Sequence, residues 1–336
     1  MKAMRLHEKG PAGPGRLSLD EVAVPRPGPG EIRVRVNVCA VCRTDLHIVE
    51  GDLPAGKTPL IPGHQIAGVL DAASEECTRF RPGDRVGVAW LRATCGACGF
   101  CRAGAENLCE ASRFTGLHED GGYAEYAVVP ETYAYEIPGG FDDHQAAPLL
   151  CAGIIGYRAL KRCEVRPGGR LGLFGFGSSA HVTIQVAVHR GYEVFVFTRE
   201  ASRREQAKRM GAAWAGGVED AAPSLLDGAI VFAPAGEVVP PALRAVARGG
   251  CVVIAGIHMS ALPAMEYEPH LFYEKRLTSV TANTRADGEE LLREAAAIPI
   301  RATTRAYRLD QANEALADLK AGRLEGTAIL NVARGR

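Results

Sequence analysis

The residues of this chain best suited to chemistry are its cysteines and two of its histidines. Cys95, Cys98, Cys101 and Cys109 form a Cys-x2-Cys-x2-Cys-x7-Cys run. Two-residue spacers let a turn wrap several sulfurs around one point, and Gly96 and Gly99 permit the tight backbone. A tetrahedral zinc ion needs four thiolates at about 2.3 Å, and four protein ligands leave no open position, so such a site is structural. An iron–sulfur cluster is the main rival for this spacing, although Cys109 is not followed by proline and there is only one such run. A second group is scattered: Cys42-Arg43-Thr44-Asp45-Leu46-His47, then Gly63-His64-Gln65, then Cys151. Two thiolates and one imidazole match the three-ligand catalytic zinc type, which keeps a fourth position for water or substrate. Spacing alone leaves these residues equally readable as core. Asp45 is a candidate acceptor that would fix the tautomer of His64.

A third group binds rather than reacts. Gly175-x-Gly177-x-x-Ala180 stands between a strand expected at Arg170–Phe174 and a helix expected over His181–His189. In that context Gly175 allows the tight turn, Gly177 lets a pyrophosphate approach the backbone, and Ala180 permits close helix packing. The helix N-terminus then offers free N–H groups to the phosphates. At the end of the next strand an acidic residue would hold the ribose 2′-hydroxyl of NAD. This chain has Thr198-Arg199 there, which suits a 2′-phosphate, while Glu200 argues the other way. The sequence therefore leans to NADP over NAD.

The elements that must position these groups fall into two textures. Up to about residue 150 the chain reads as β, with strands expected at Ile32–Val38, Ile66–Leu70, Arg85–Ala89 and Tyr123–Val129, punctuated by Pro62-Gly63 and Pro82-Gly83-Asp84. After Cys151, strands at Glu193–Phe197, Ala229–Phe232 and Cys251–Ile257 alternate with helices at Ser202–Met210 and Pro241–Ala247. Alternation of that kind predicts a parallel, doubly wound sheet. A helix near Leu309–Ala321 and a strand near Thr327–Val332 should return to the first domain.

Composition narrows the classes. A chain of 336 residues suggests two domains. With 39 basic and 39 acidic side chains it has no net charge, hence no electrostatic footprint for nucleic acid or an acidic membrane. The longest apolar stretch, near Ala146–Tyr157, is shorter than the roughly 20 residues of a membrane span. No apolar run follows the basic N-terminal start, so a cytoplasmic location is expected. In a reducing compartment clustered cysteines favour metal binding over disulfides, and the isolated Cys77, Cys163 and Cys251 read as packed thiols rather than redox sensors.

Taken together and in order, these motifs resemble the zinc-dependent alcohol dehydrogenases of the medium-chain dehydrogenase/reductase superfamily, over nearly the whole chain. The resemblance implies an α/β fold: a β-rich GroES-like catalytic domain over residues 1–152 and 284–336, and a Rossmann-type doubly wound parallel-sheet domain over 153–283. It also implies a homodimer or homotetramer. By position, Cys42, His64 and Cys151 would hold a catalytic zinc, and Cys95, Cys98, Cys101 and Cys109 a structural one. Thr44 would hydrogen-bond the substrate oxygen, His47 would relay the proton, and Arg43 would contact the cofactor pyrophosphate. Gly175, Gly177, Ala180, Thr198 and Arg199 would bind the nicotinamide cofactor. The substrate would be a small alcohol or aldehyde.

The chain departs from the family pattern at Gln65, where a glutamate usually follows the ligand histidine, at Ile155, where many members carry threonine, and at Thr327, where some place a phosphate-binding arginine. Trp90 lies where members with narrow pockets carry a large aromatic residue, and Leu53 is a candidate for the same pocket wall. Two further readings stand beside this one. Another zinc-dependent branch of the superfamily would oxidise polyols, formaldehyde or cinnamyl alcohols. A zinc-ribbon interaction module would use the cysteine run alone, but Arg92 and Arg102 around it are offset by Glu106 and Glu110.

Overall fold

A computed structural model describes residues 1–53, 56–298 and 300–333. The chain divides into two compact units, one of Met1–Cys151, Ala282–Ala296 and Ala302–Arg336, the other of Ala152–Thr281 with Ala297–Arg301.

The first unit is built on a seven-stranded sheet. Its path runs Thr304–Arg308, Thr327–Asn331, Glu31–Ala40, Gln65–Ala73, Arg85–Val88 and Ala134–Glu136, and Tyr126–Pro130 also pairs with Glu31–Ala40. The strand Glu31–Ala40 alternates apolar-in and polar-out as its sequence predicts, with Ile32, Val34 and Val36 in the core. It pairs antiparallel with Gln65–Ala73 in a register that sets Ala40 opposite Gln65. That register brings the residues just beyond Ala40 and just before Gln65 to the same end of the ladder. Two short hairpins complete the unit, Lys2–Leu6 with Leu17–Glu21 and Leu91–Ala93 with Arg113–Phe114.

The second unit carries a six-stranded sheet in the order Trp214–Gly216, Glu193–Phe197, Arg170–Phe174, Leu226–Val231, Val246–Ile254 and Arg276–Ser279. Every pairing is parallel. Numbered along the chain this order is 3-2-1-4-5-6, the doubly wound dinucleotide-binding topology. Its inner strands are buried and carry nearly continuous apolar runs such as Val194-Phe195-Val196-Phe197, while the edge strand Arg276–Ser279 is partly exposed.

Several boundaries differ from the sequence reading. The last β-stretch of the first texture forms Tyr126–Pro130, so Tyr123 lies in the loop that leads into it. The strand expected at Cys251–Ile257 is Val246–Ile254, and Ile257 is exposed. The helix expected from His181 starts at Ser178. Leu309–Gln311 is a 3-10 turn that precedes the helix Ala312–Lys320. Among the described residues no helix is long and apolar enough to cross a membrane.

Candidate active site

Cys42, His64 and Cys151 converge. Cys42 caps the N-terminus of the helix Arg43–Glu50, and His64 directly precedes Gln65–Ala73, so the strand register delivers both. Cys151 arrives on a π-helical turn, Leu149–Gly153. The preceding Leu150 packs on Gly87, where a Cβ would stand only 2.7 Å from the leucine side chain. Gly87 thus lets Leu150 seat against the sheet. Cys42 Sγ lies 3.9 Å from Cys151 Sγ, and Cys151 Sγ lies 3.3 Å from His64 Nε2. All three ligand atoms are within 4.8 Å of one another.

These spacings can be tested against an ion. Tetrahedral zinc places sulfur pairs about 3.8 Å apart and sulfur–nitrogen pairs about 3.5 Å apart, from bond lengths of about 2.3 and 2.0 Å. The three groups therefore fit one zinc ion, and among the described residues no fourth histidine, cysteine or carboxylate joins them. The other imidazole nitrogen, Nδ1, lies 2.9 Å from Asp45 Oδ1 and is its donor, which leaves Nε2 free to ligate. Asp45 and His64 are fully buried.

The electrostatics suit a cation. The hydrogen bond from the Cys151 thiol, aided by the His64 ring, holds the Cys42 thiol well below its ordinary pKa, although burial opposes the charge. Cys151, facing that thiolate, is pushed up. Burial works against a charged His64, yet the Asp45 carboxylate carries its pKa up to about 10. The site thus favours a thiolate at Cys42, and a bound cation would supply the charge that draws protons off the other ligands.

The neighbours of this trio lie on the same helix. Thr44 is buried, with its hydroxyl 3.5 Å from Cys42 Sγ. His47 is half-buried, and its Nδ1 lies 2.8 Å from Asp52 Oδ2. Arg43 opens the helix and is exposed. Gln65 is buried with its Oε1 lacking a hydrogen-bond partner, and its amide nitrogen reaches Ala40 O at 3.4 Å. Trp90 stacks on Phe114 with ring centroids 4.8 Å apart, and meets the His64 ring edge-on at the same separation.

The four-cysteine run closes into a knot. Cys95 Sγ is 3.5 Å from Cys109 Sγ and 3.9 Å from Cys101 Sγ, and all four sulfurs lie within 4.8 Å of one another. This matches the edges of a single tetrahedron and is too tight to enclose a cluster of several irons. Backbone N–H groups of Cys95, Cys98 and Cys101 point at the sulfurs of Cys109, Cys95 and Cys98. Such bonds favour thiolates: those from Ala97 and Cys98 bring Cys95 down to about 6. Of the charges flanking this run, Arg92 is buried on Glu31 and Glu106 receives Arg285, while Arg102 and Glu110 are exposed with opposite signs.

In the second unit the turn Gly175–Ala180 follows the strand Arg170–Phe174 at the point where strand order reverses. Gly175 has φ +93°, and a Cβ there would stand 2.8 Å from the backbone of Ala233. A Cβ on Gly177 would meet nothing within 4 Å, so this N-cap of the helix Ser178–His189 is an open cradle. Ala180 is fully buried. A dinucleotide's pyrophosphate fits that cradle. Beyond the second strand, Thr198 is buried and donates its hydroxyl to the Glu200 carboxylate at 3.0 Å, while Arg199 is exposed.

Residues 28–139 match the alcohol dehydrogenase GroES-like domain and residues 180–297 the zinc-binding dehydrogenase domain. The chain is 51% identical over 335 residues to the probable alcohol dehydrogenase AdhA of Mycobacterium tuberculosis, covering 98% of this chain and 97% of that one. The chain belongs to the zinc-type alcohol dehydrogenases of the medium-chain dehydrogenase/reductase superfamily. Solved members of the fold agree. A cinnamyl alcohol dehydrogenase from Sorghum bicolor superposes with a TM-score of 0.91 at 26% identity, over 100% of this chain and 98% of that one. A thermostable alcohol dehydrogenase from Pyrobaculum aerophilum, with cobalt and zinc bound, superposes with a TM-score of 0.90 at 28% identity, over 98% and 99%. As a family member the chain is a nicotinamide-dependent oxidoreductase.

Two participants escaped the sequence reading. Tyr123, read only as strand, donates to Asp45; Glu106, read only as an offsetting charge, anchors Arg285. A signal existed for the helix that carries Thr44 and His47. Asp45 stands three residues after Cys42, the spacing of a capping box, and its carboxylate does accept the Cys42 N–H.

Proposed function

We propose that this chain interconverts small alcohols with their aldehydes or ketones, using zinc at Cys42, His64 and Cys151 and a nicotinamide cofactor on the Gly175–Ala180 turn. A second zinc at Cys95, Cys98, Cys101 and Cys109 has a structural task. The observation that carries the reading is the convergence of two sulfurs and one imidazole beside a hydroxyl and a second imidazole on one helix. When bound, zinc acts as a Lewis acid that eases loss of the alcohol proton, and the nicotinamide accepts the hydride.

The chain's residues do the rest. Asp45 orients His64. The Thr44 hydroxyl, held beside Cys42, accepts the alcohol proton and passes its own onward. His47 takes it at Nε2, because Nδ1 is engaged by Asp52, and releases it to solvent. Arg43 supplies a guanidinium for a cofactor phosphate. Trp90, edge-on to His64, and Leu53 limit the pocket to short chains.

Thr198 and Arg199 favour NADP over NAD. The opposing carboxylate, Glu200, is engaged by Thr198 and lies 3.9 Å from Arg203, so it is partly neutralised within its own turn. The family resemblance supports a homodimer or homotetramer in the cytoplasm, which light scattering would size.

The test pairs metal analysis with an assay of short alcohols against both cofactors. One zinc per site, turnover abolished by Cys151→Ser, and a lower KM for NADP are expected. A zinc-loaded protein with no alcohol-dependent cofactor reduction would overturn the reading.

A further inference from the structure

Asp45 holds His64, but three donors hold Asp45. Its Oδ1 accepts from His64 Nδ1 at 2.9 Å. Its Oδ2 accepts the Cys42 N–H at 2.8 Å and the Tyr123 hydroxyl at 3.2 Å. A carboxylate can only accept, so Tyr123 must donate. Both side chains are fully buried, where no water can take either place.

Tyr123 is itself clamped. Its N–H donates to Pro62 O at 3.0 Å, and its carbonyl accepts from Met4 at 2.8 Å. Gly122 donates to Gly63 O at 2.9 Å and Gly121 to Ile61 O at 2.7 Å, so the loop is laced onto the segment that ends at His64. The ring lies where a side chain on residue 63 would be: a Cβ on Gly63 would stand 2.4 Å from Tyr123 Cδ1. One side chain thus touches the backbone before the ligand histidine and the carboxylate behind it.

We propose that Tyr123 is a positioning residue for the metal centre, its hydroxyl fixing Asp45 so that His64 presents Nε2 and Cys42 its sulfur in ligating geometry. Packing alone would be met by phenylalanine; the hydroxyl is accounted for by the buried carboxylate. This inference rests on the assignment of Cys42, His64 and Cys151 as ligands.

The test is Tyr123→Phe in the zinc-loaded protein, read by zinc release to a chromogenic chelator, by the thiolate-to-metal charge-transfer band after cobalt replacement, and by urea unfolding. Wild type should release zinc in two phases, with Cys98→Ser removing the one that belongs to the four-cysteine lobe. Y123F should accelerate the other phase about tenfold, the lower end for loss of an outer-shell partner, and shift the cobalt band while the lobe phase stays unchanged. Asp45→Asn, in which an amide replaces one acceptor oxygen, should accelerate the same phase, with Y123F adding nothing to it. An unchanged phase in Y123F, or fully additive effects of the two substitutions, overturns the proposal even if unfolding shifts. If Cys98→Ser abolishes all zinc release, the ligand assignment fails, and the role of Tyr123 with it.

Discussion

Trp90→Ala tests the narrow-pocket reading most directly. Trp90 is buried, stacked on Phe114 with an interplanar angle of 12° and set edge-on against His64 at 69°. Removing the indole has two separable effects. Losing so large a buried aromatic costs about 3–5 kcal/mol of stability. At about 2–4 °C per kcal/mol for a unit of this size, the midpoint falls by roughly 6–20 °C. The second effect is on selectivity. Each newly buried methylene contributes about 0.8 kcal/mol, so room for three more gives about 2.4 kcal/mol, or roughly 60-fold in rate. The assay is kcat/KM over the straight-chain alcohols from ethanol to hexanol, at saturating cofactor and zinc, reported as the hexanol-to-ethanol ratio. A ratio is indifferent to the fraction of active protein, and Trp90→Leu, less disruptive, should move it in the same direction by less. A ratio within twofold of wild type, in a variant that keeps its zinc, would refute the assignment of Trp90 to the pocket wall.

Three further outcomes are expected. Gly63→Ala must hold an L-residue at φ +97° and press a Cβ into Tyr123 and Cys39; it should cost about 2–5 kcal/mol, seen as a lower urea midpoint. Arg285→Ala strips Glu106 of contacts at 3.0 and 2.7 Å; because Arg285 is partly exposed, about 1–2 kcal/mol should be lost at neutral pH. Arg285 holds the Glu106 carboxyl below its ordinary pKa, so this stabilisation is complete above about pH 4.3 and disappears as pH falls through the lower folded value; urea midpoints of variant and wild type should converge there. Arg199→Ala should raise KM for NADP by about tenfold and leave that for NAD within twofold, since of the two cofactors only NADP carries a 2′-phosphate for the guanidinium to pair with; equal effects on both would assign Arg199 to the surface.

What could be read from the sequence follows the range of the interactions involved. The four inner parallel strands are announced by local apolar runs and the dinucleotide turn by glycines at fixed offsets, because both are local signals; the edge strands Trp214–Gly216 and Arg276–Ser279, short and only partly buried, went unread. The four-cysteine lobe is likewise local: its ligands lie within one stretch, and their N–H···S bonds run between near neighbours. The Cys42–His64–Cys151 trio is not local. Its convergence depends on an antiparallel register setting Ala40 opposite Gln65, and on Leu150 packing against a glycine in a third strand. Neither is written in the spacing of the ligands, so the residue types alone left the set evenly balanced against a core reading, and the family resemblance decided for it. The helix Arg285–Ala297 went unread despite its alanines and glutamates. Its Gly288 reads locally as an interruption, whereas in the fold a Cβ there would collide with Tyr135.

The π turn that carries Cys151 bears on how this centre tolerates change over generations. A π turn holds one residue more than the α-helical path it replaces, and each residue advances a helix by about 100°. Deleting Leu149 or Leu150 would let the turn relax into an ordinary helix and swing the Cys151 thiol about a quarter of a revolution relative to Ala146 and Ala147. Leu149 and Leu150 are fully buried, so apolar exchanges of similar volume are what this stretch tolerates, whereas a lost codon ahead of Cys151 removes the thiol from the cluster as surely as replacing the cysteine. Segment length at 149–153, rather than the bare presence of a cysteine, is the feature that should separate descendants that kept the metal from those that discarded it.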